Sequence, residues 1–140
     1  MMISTRGRYA LRVMLDLAMN EGGSYVPLDD IAQREGISEK YLENIIVSLS
    51  RAGLVKALRG KGGGYMLSRR PAEYPIGEIL QLTEKTLAPV TCLESGAACP
   101  HAADCLTLPF WQGLDRVIDD YLMAHTLADL LPKGKSADLL

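Results

Sequence analysis

Apolar residues recur at helical spacing in several stretches of this chain, and at strand spacing in one. Over Tyr9 to Asn20, Ala10, Met14 and Leu17 share a face with Leu11, Val13 and Ala18 close by, which predicts a first, largely buried helix. Glu21-Gly22-Gly23-Ser24 reads as a loop. Val26-Pro27-Leu28 leads into a short helix over Asp29 to Glu35, with two acidic residues in the turn where the helix dipole favours them. Ile31, Ala32 and Ile37 are expected to pack inward. Gly36 interrupts, and the gap to Ser38 has the length of a tight turn between paired helices. Ser38 suits the N-cap of a third helix, because its hydroxyl can accept from a first-turn amide. Leu42, Ile45, Ile46 and Leu49 make that helix's apolar face. Lys40, Glu43, Asn44, Ser48 and Arg51 lie on the other side with Val47 among them, and Gly53 supplies the left-handed residue that ends it.

The period then changes. Leu54 to Leu58 reads as a short strand, Arg59-Gly60-Lys61-Gly62-Gly63-Gly64 as a turn, and Tyr65-Met66-Leu67 as the returning strand. A helix with a polar outer face, followed at once by a basic glycine hairpin, is the layout of a winged helix-turn-helix. Such a helix is shaped to enter a DNA major groove while the hairpin reaches a neighbouring groove. Helix pairs alone are common and weak evidence; the pair plus the basic glycine hairpin is much stronger. Two other uses of a glycine loop fail here. No Gly-Lys-Ser/Thr follows at the spacing of a nucleotide-binding P-loop, and Tyr65 stands where a dinucleotide loop needs its third glycine. A simple flexible turn is the remaining alternative, and Arg59 and Lys61 favour the DNA wing.

Pro75 suits the first turn of a further helix that runs to about Thr86, packing through Ile76, Ile79, Leu80 and Thr83. Leu87 to Cys105 has no periodicity. From about Pro109 a long helix is predicted, with Phe110, Leu114, Val117, Tyr121, Ala124, Ala128 and Leu131 at three-four spacing, Trp111, Ile118 and Leu122 widening the stripe, and Pro132 ending it. That is more apolar surface than one helix can hide against a small domain, so a partner helix from a second chain is expected to cover it; packing within the chain is the alternative. A homodimer would present two recognition helices to two half-sites of a double-stranded DNA operator. The expected fold is mainly α: a winged helix-turn-helix DNA-binding domain with a two-stranded β wing over residues 1–74, then a helix, cysteine loop and long C-terminal dimerisation helix over 75–131, then a flexible tail over 132–140.

Composition changes this picture in one respect. The 140 residues carry a formal net charge of −2, which averaged over the chain speaks against DNA. The charge is not spread evenly: residues 1–74 hold 11 basic and 8 acidic side chains, residues 75–140 hold 4 and 9, and Lys56 to Arg70 holds five basic and no acidic ones. Positive charge is concentrated where the wing is expected. Arg6, Arg8 and Arg12 sit at the start of the first helix, where cations oppose the dipole. They are either a solvated end or phosphate contacts, since a polyanion would offset that cost. They also interrupt any signal peptide, and no apolar run approaches the ~20 residues of a membrane span. The expectation is a cytoplasmic protein with no membrane partner.

Cys92-x6-Cys99-x5-Cys105 is the second informative pattern. An odd number of cysteines crowded into one segment is not a disulfide framework. Three thiolates on one loop suit a soft metal or an iron–sulfur cluster. Zinc ribbons use close cysteine pairs, and none occur here. His101 is the local candidate for a fourth ligand, with Glu94 and Asp104 as others. Reduced thiols without metal, or a thiol redox sensor, are the alternatives. A Cys99–His101 hydrolase has poor geometry and no orienting partner, so no enzyme is expected.

Ser4-Thr5-Arg6-Gly7-Arg8-Tyr9-Ala10, Tyr41-Leu42-Glu43, Arg59-Gly60-Lys61-Gly62-Gly63-Gly64-Tyr65 and Leu87-Ala88-Pro89-Val90 ahead of the cysteines resemble the IscR-type family of bacterial winged-helix repressors. The resemblance runs from Ile3 to about Leu127. It implies a homodimer that regulates iron–sulfur assembly, nitric oxide response, iron or cysteine metabolism genes. It implies that Ser38, Lys40, Tyr41, Glu43 and Asn44 meet bases and phosphates, that Arg59 enters the minor groove with Lys61, Gly62 and Gly63 beside it, and that Cys92, Cys99 and Cys105 hold an iron–sulfur cluster, 2Fe–2S in preference to 4Fe–4S. Two features depart from the pattern. The first cysteine gap is one residue longer than usual, and Leu108 stands where IscR-like proteins have a ligating histidine. Some relatives lack the cysteines and sense cysteine supply through a partner enzyme.

Overall fold

Ser4 begins the first helix well before the apolar spacing does. Its hydroxyl accepts from the Gly7 amide at 3.0 Å, and α1 runs Thr5–Asn20 rather than from Tyr9. The first turn has no acidic residue of its own. Glu84 brings one from elsewhere in the chain: Oε1 accepts from the Ser4 amide and Oε2 from the Ser4 hydroxyl, both at 2.6 Å. A carboxylate at this end of the helix offsets the dipole cost of Arg6 and Arg8. Burial works to raise the Glu84 pKa, but the Ser4 hydrogen bonds outweigh it and hold the carboxyl below its ordinary range. Gly7 leaves the room, since a Cβ there would lie 2.7 Å from Glu84 Oε2.

This computed structural model describes residues 2–94 and 99–132; the predicted tail from 133 onward lies outside the described residues. Helix α2 spans Leu28–Glu35 and ends at Gly36 with φ +66°. Helix α3 spans Glu39–Arg51, with Ser38 Oγ accepting from the Tyr41 amide at 3.1 Å. Strands β1 (Val55–Leu58) and β2 (Gly64–Leu67) pair antiparallel, Val55 opposite Leu67 and Leu58 opposite Gly64. A third segment joins them unannounced by any sequence signal. Val26 and Tyr65 exchange both backbone hydrogen bonds at 2.8 Å, which ties the wing to the loop before α2. Gly64 permits this approach, because a Cβ on it would collide with the Val26 carbonyl.

One core gathers Val13, Met14 and Leu17 of α1 with Ile31 of α2, the Leu42-Ile45-Ile46-Leu49 face of α3, and Leu54, Val55 and Leu67 of the hairpin. Asp16 is buried within it and is paired by two bonds, 2.7 and 2.9 Å, from Arg34 of α2. Tyr74 is fully buried and closes the base of the wing. Its hydroxyl donates to the Leu54 carbonyl at 2.6 Å and accepts from the Ser68 and Arg69 amides at 2.9 Å each. Tyr74→Phe should therefore strand a buried carbonyl and two amides, and should lower unfolding free energy by about 1–3 kcal/mol. The urea midpoint should fall with an unchanged slope; an unmoved midpoint would refute this role.

Helix α4 is Ile76–Thr83 rather than reaching Thr86, because Glu84 turns to extended backbone where its carboxylate meets Ser4. Helix α5 is Leu108–Ala124 and stops well short of Leu131. The expected continuation fails because residues 125–127 pair with residues 74–76: the Ile76 amide donates to His125 O and the Leu127 amide to Tyr74 O, both at 2.9 Å. A 3-10 turn over Leu127–Leu130, closed by Thr126 and Asp129, follows. Leu131, predicted on the long helix's stripe, enters the core instead, and Leu127 beside the turn is buried there too.

The rest of the α5 stripe splits in two. Leu122 and Met123 come against Gly77 of α4, where a Cβ would meet Met123 Sδ at 2.6 Å, and Trp111 and Ile118 are half-buried on α5. Phe110 (68% exposed), Val117 (64%) and Tyr121 (63%) face outward with Leu114, and no α5 residue is buried.

Candidate nucleic-acid interface

The four apolar residues of α3 fix which way its polar residues face. With Leu42, Ile45, Ile46 and Leu49 in the core, Lys40, Glu43 and Asn44 are exposed, and Ser38 is exposed at the cap. Tyr41 is half-buried and meets Tyr9 edge-on, ring centres 5.9 Å apart, so α1 braces the start of α3. Beside this face the hairpin stands out. Arg59, Lys61 and Gly62 are exposed at its tip and Gly63 is half-exposed, its amide donating to Gly60 O at 3.0 Å to close the turn. A cleft of about 600 Å³ separates α3 from the wing, bordered by Val47, Ser50 and Arg51 on one side and Leu58, Arg59 and Tyr65 on the other. Helix and wing thus face outward together, with an open cleft between them.

The three arginines at the start of α1 have different partners. Arg12 pairs with Glu35 at 2.9 Å and lies over the Tyr9 ring. Arg8 donates to Thr5 Oγ1 at 2.9 Å. Arg6 reaches across to α3, where Nη2 donates to Ser48 Oγ at 2.6 Å. Its Nε is covered and finds no acceptor among the described residues, a defect that costs about 1–3 kcal/mol. Arg6, Lys40, Glu43, Asn44, Ser48 and Arg51 line one shallow groove of about 370 Å³. Ser48 and Arg51 follow Asn44 at helical spacing and were legible as members of this face. The sequence marks Arg6, with Arg8 and Arg12, as a solvated end or a phosphate contact, but its place beside α3 was not legible, since its partner lies 42 residues away.

The cysteines sit on the long connection from α4 to α5. Cys92 lies in a 3-10 turn, Thr91–Leu93, and Cys105 just before α5; all three thiols are free and half-buried. Cys105 Sγ lies 3.3 Å from Thr107 Oγ1, and hydrogen bonding from the Thr107 hydroxyl, with its amide, pulls the thiol pKa below its usual value. By donor type three thiols on one loop suit an iron–sulfur cluster. Among the described residues, however, no three Cys, His, Asp or Glu side chains gather to hold a metal ion, and His101 is exposed. Residues 95–98, between the first two cysteines, lie outside the described residues. No described helix is long and apolar enough to cross a membrane.

This fold recurs in solved structures. The family model Rrf2, described as iron-dependent transcriptional regulator, matches residues 3–133. A Neisseria meningitidis protein named as a putative HTH-type transcriptional regulator is 42% identical over 138 residues, covering 99% of this chain and 93% of the relative. The structure of CymR, the global cysteine regulator of B. subtilis, superimposes with a TM-score of 0.75 at 35% identity, covering 93% of this chain and 95% of CymR. That of T. potens IscR gives 0.74 at 35% identity, covering 100% and 93%. With the wing, the outward helix and this near-complete coverage in agreement, the chain belongs to the Rrf2 family of transcriptional regulators.

Proposed function

We propose that this regulator is a homodimeric, sequence-specific repressor that reads a double-stranded operator with α3 and the wing, and that its three-cysteine loop reports iron–sulfur, redox or nitric oxide status. The observation that carries the DNA reading is the shared outward face of Lys40, Asn44 and Arg59. In this reading Ser38, Lys40, Tyr41, Glu43 and Asn44 meet bases and phosphates in the major groove. Arg59 enters the minor groove, with Lys61, Gly62 and Gly63 following the backbone. Residues 1–74 read DNA and residues 75–131 sense and dimerise through the outward stripe of α5. The affinity should fall steeply with salt as counterions are released, whereas an apolar protein–protein contact by the same helix pair would not respond in that way.

Cys92, Cys99 and Cys105 would hold the cluster, 2Fe–2S in preference to 4Fe–4S, with His101 the nearest candidate for the fourth position. Bound iron and sulfide would supply reactivity toward oxidants and nitric oxide. Cys105 is next to the first turn of α5 and Glu84 sits at the other end of the loop, so the loop is anchored to both the α5 stripe and the start of α1. Protein purified without oxygen is expected to absorb in the visible range and to contain iron and sulfide, and each Cys→Ala variant should lose both. Colourless wild-type protein free of iron would overturn the cluster and leave the DNA reading intact. It would favour a second reading supported by thiols that do not gather among the described residues and by the likeness to CymR: a cluster-free regulator of cysteine or sulfur metabolism acting through thiol chemistry or a partner enzyme.

A further inference from the structure

Arg6 belongs to α1, outside the helix-turn-helix, yet it is delivered to the reading face. The Ser4–Glu84 clasp sets the start of α1, and within the same turn Arg6 reaches Ser48 Oγ at 2.6 Å. Ser48 shares the outward stripe of α3 with Lys40 and Asn44, so the guanidinium is placed in their groove. What holds it there is a neutral hydroxyl. Arg12, Arg34, Arg69 and Arg70 are each paired with a carboxylate, at Glu35, Asp16, Glu78 and Glu73, and Arg6 has no such ion pair among the described residues. Its charge is therefore positioned without being neutralised.

We infer that Arg6 is a phosphate-binding residue of the operator interface, preorganised by Ser48 and by the clasp on Ser4. The inference rests on the DNA reading proposed above and adds to it a contact from a different element. A phosphate is the ligand because of where Ser48 stands. Base edges are met by the first residues of a recognition helix, and Ser48 and Arg51 lie in its later turns. Fixing the arginine before binding reduces the ordering cost when a phosphate oxygen arrives, and the planar fork with its remaining donors suits that oxygen pair.

The test uses the full-length protein and two duplexes: one selected by the wild type from a random-sequence pool, and one of unrelated mixed sequence. Arg6→Gln keeps a donor for Ser48 and removes the charge. It should weaken both duplexes by a similar factor, about fivefold per protomer near 0.15 M salt, and should lower the slope of log affinity against log salt by about 0.9 per protomer. Arg6→Lys should keep the wild-type slope. Ser48→Ala should keep the slope and lose a few-fold in affinity, because the charge stays but its anchor is gone. Arg6→Gln with wild-type affinity and slope would overturn the inference while wild-type binding upholds the DNA reading. A loss confined to the selected duplex would also overturn it, assigning Arg6 to a base. A lowered thermal midpoint with an unchanged slope would mark a purely structural tether. Wild-type protein that binds neither duplex would overturn both proposals.

Discussion

Val117→Glu is expected to yield a folded monomer and to lower operator affinity by about 100-fold or more. Val117 is 64% exposed in the single chain, in the middle of an outward row formed with Phe110, Leu114 and Tyr121, and it contributes nothing to the protomer's core. A second copy of the same helix would bury this row, at about 1.5–3 kcal/mol for each large side chain fully covered. Two glutamates brought toward a two-fold axis would be unpaired charges inside that interface, which is strongly unfavourable. In the proposed dimer, loss of the mate would remove the linked second half-site, and linkage of this kind is worth roughly 10²–10⁴ in affinity. Sedimentation equilibrium should show the monomer, circular dichroism an unchanged helix content, and gel shift the lost affinity. A persistent dimer would show that α5 pairs through another face or does not pair.

Arg59→Ala is expected to weaken operator binding by about 10- to 100-fold, because in the proposed interface it loses both a cationic charge and minor-groove readout. The residue is exposed at the end of β1, on a hairpin held at its base by Tyr74 and along its side by Val26. The wing's position is set by those contacts and not by the arginine, so the substitution should leave the thermal midpoint unchanged. A narrow, A·T-rich minor groove should magnify the loss, because its negative potential attracts arginine. Gel-shift titration against the selected duplex and a version with its flanking A·T pairs replaced would measure this. Equal affinity of the wild type and Arg59→Ala proteins would remove the wing from the interface.

Much of the fold was legible because it is local. Ser38 caps α3 as expected, Gly36 is left-handed at the end of α2, and the α3 apolar face packs inward as its spacing predicts. The outward position of Lys40 and Asn44 follows from those features, and that of Arg59 from the glycine hairpin. The ends of α1 and α5 were not legible, because each is decided by a distant partner. Ser4 becomes a helix start with Glu84 beside it, and the chain leaves helical backbone at His125 so that His125 can pair with Ile76 and Leu127 with Tyr74. Ala128 and Leu131 continue the helical spacing, yet Leu131 is buried in the core and Ala128 lies in a separate turn.

The candidate site divides in the same way. Exposed residues on a regular helix or hairpin can be placed from spacing alone, and most of the interface is of this kind. Arg6 cannot, because a contact between residues 6 and 48 has no signature in either neighbourhood. Nor can spacing decide how three thiols on an aperiodic loop come together, since no repeating backbone geometry relates them. Periodicity and caps by themselves determined the helix-wing order and which face of α3 turns outward, because each rests on interactions within a few residues. The start of α1, the return of Leu127 into the core, the wing's third pairing at Val26 and the arrival of Arg6 beside α3 were decided only by tertiary structure, where chain segments far apart in sequence complete each other's hydrogen bonds and packing.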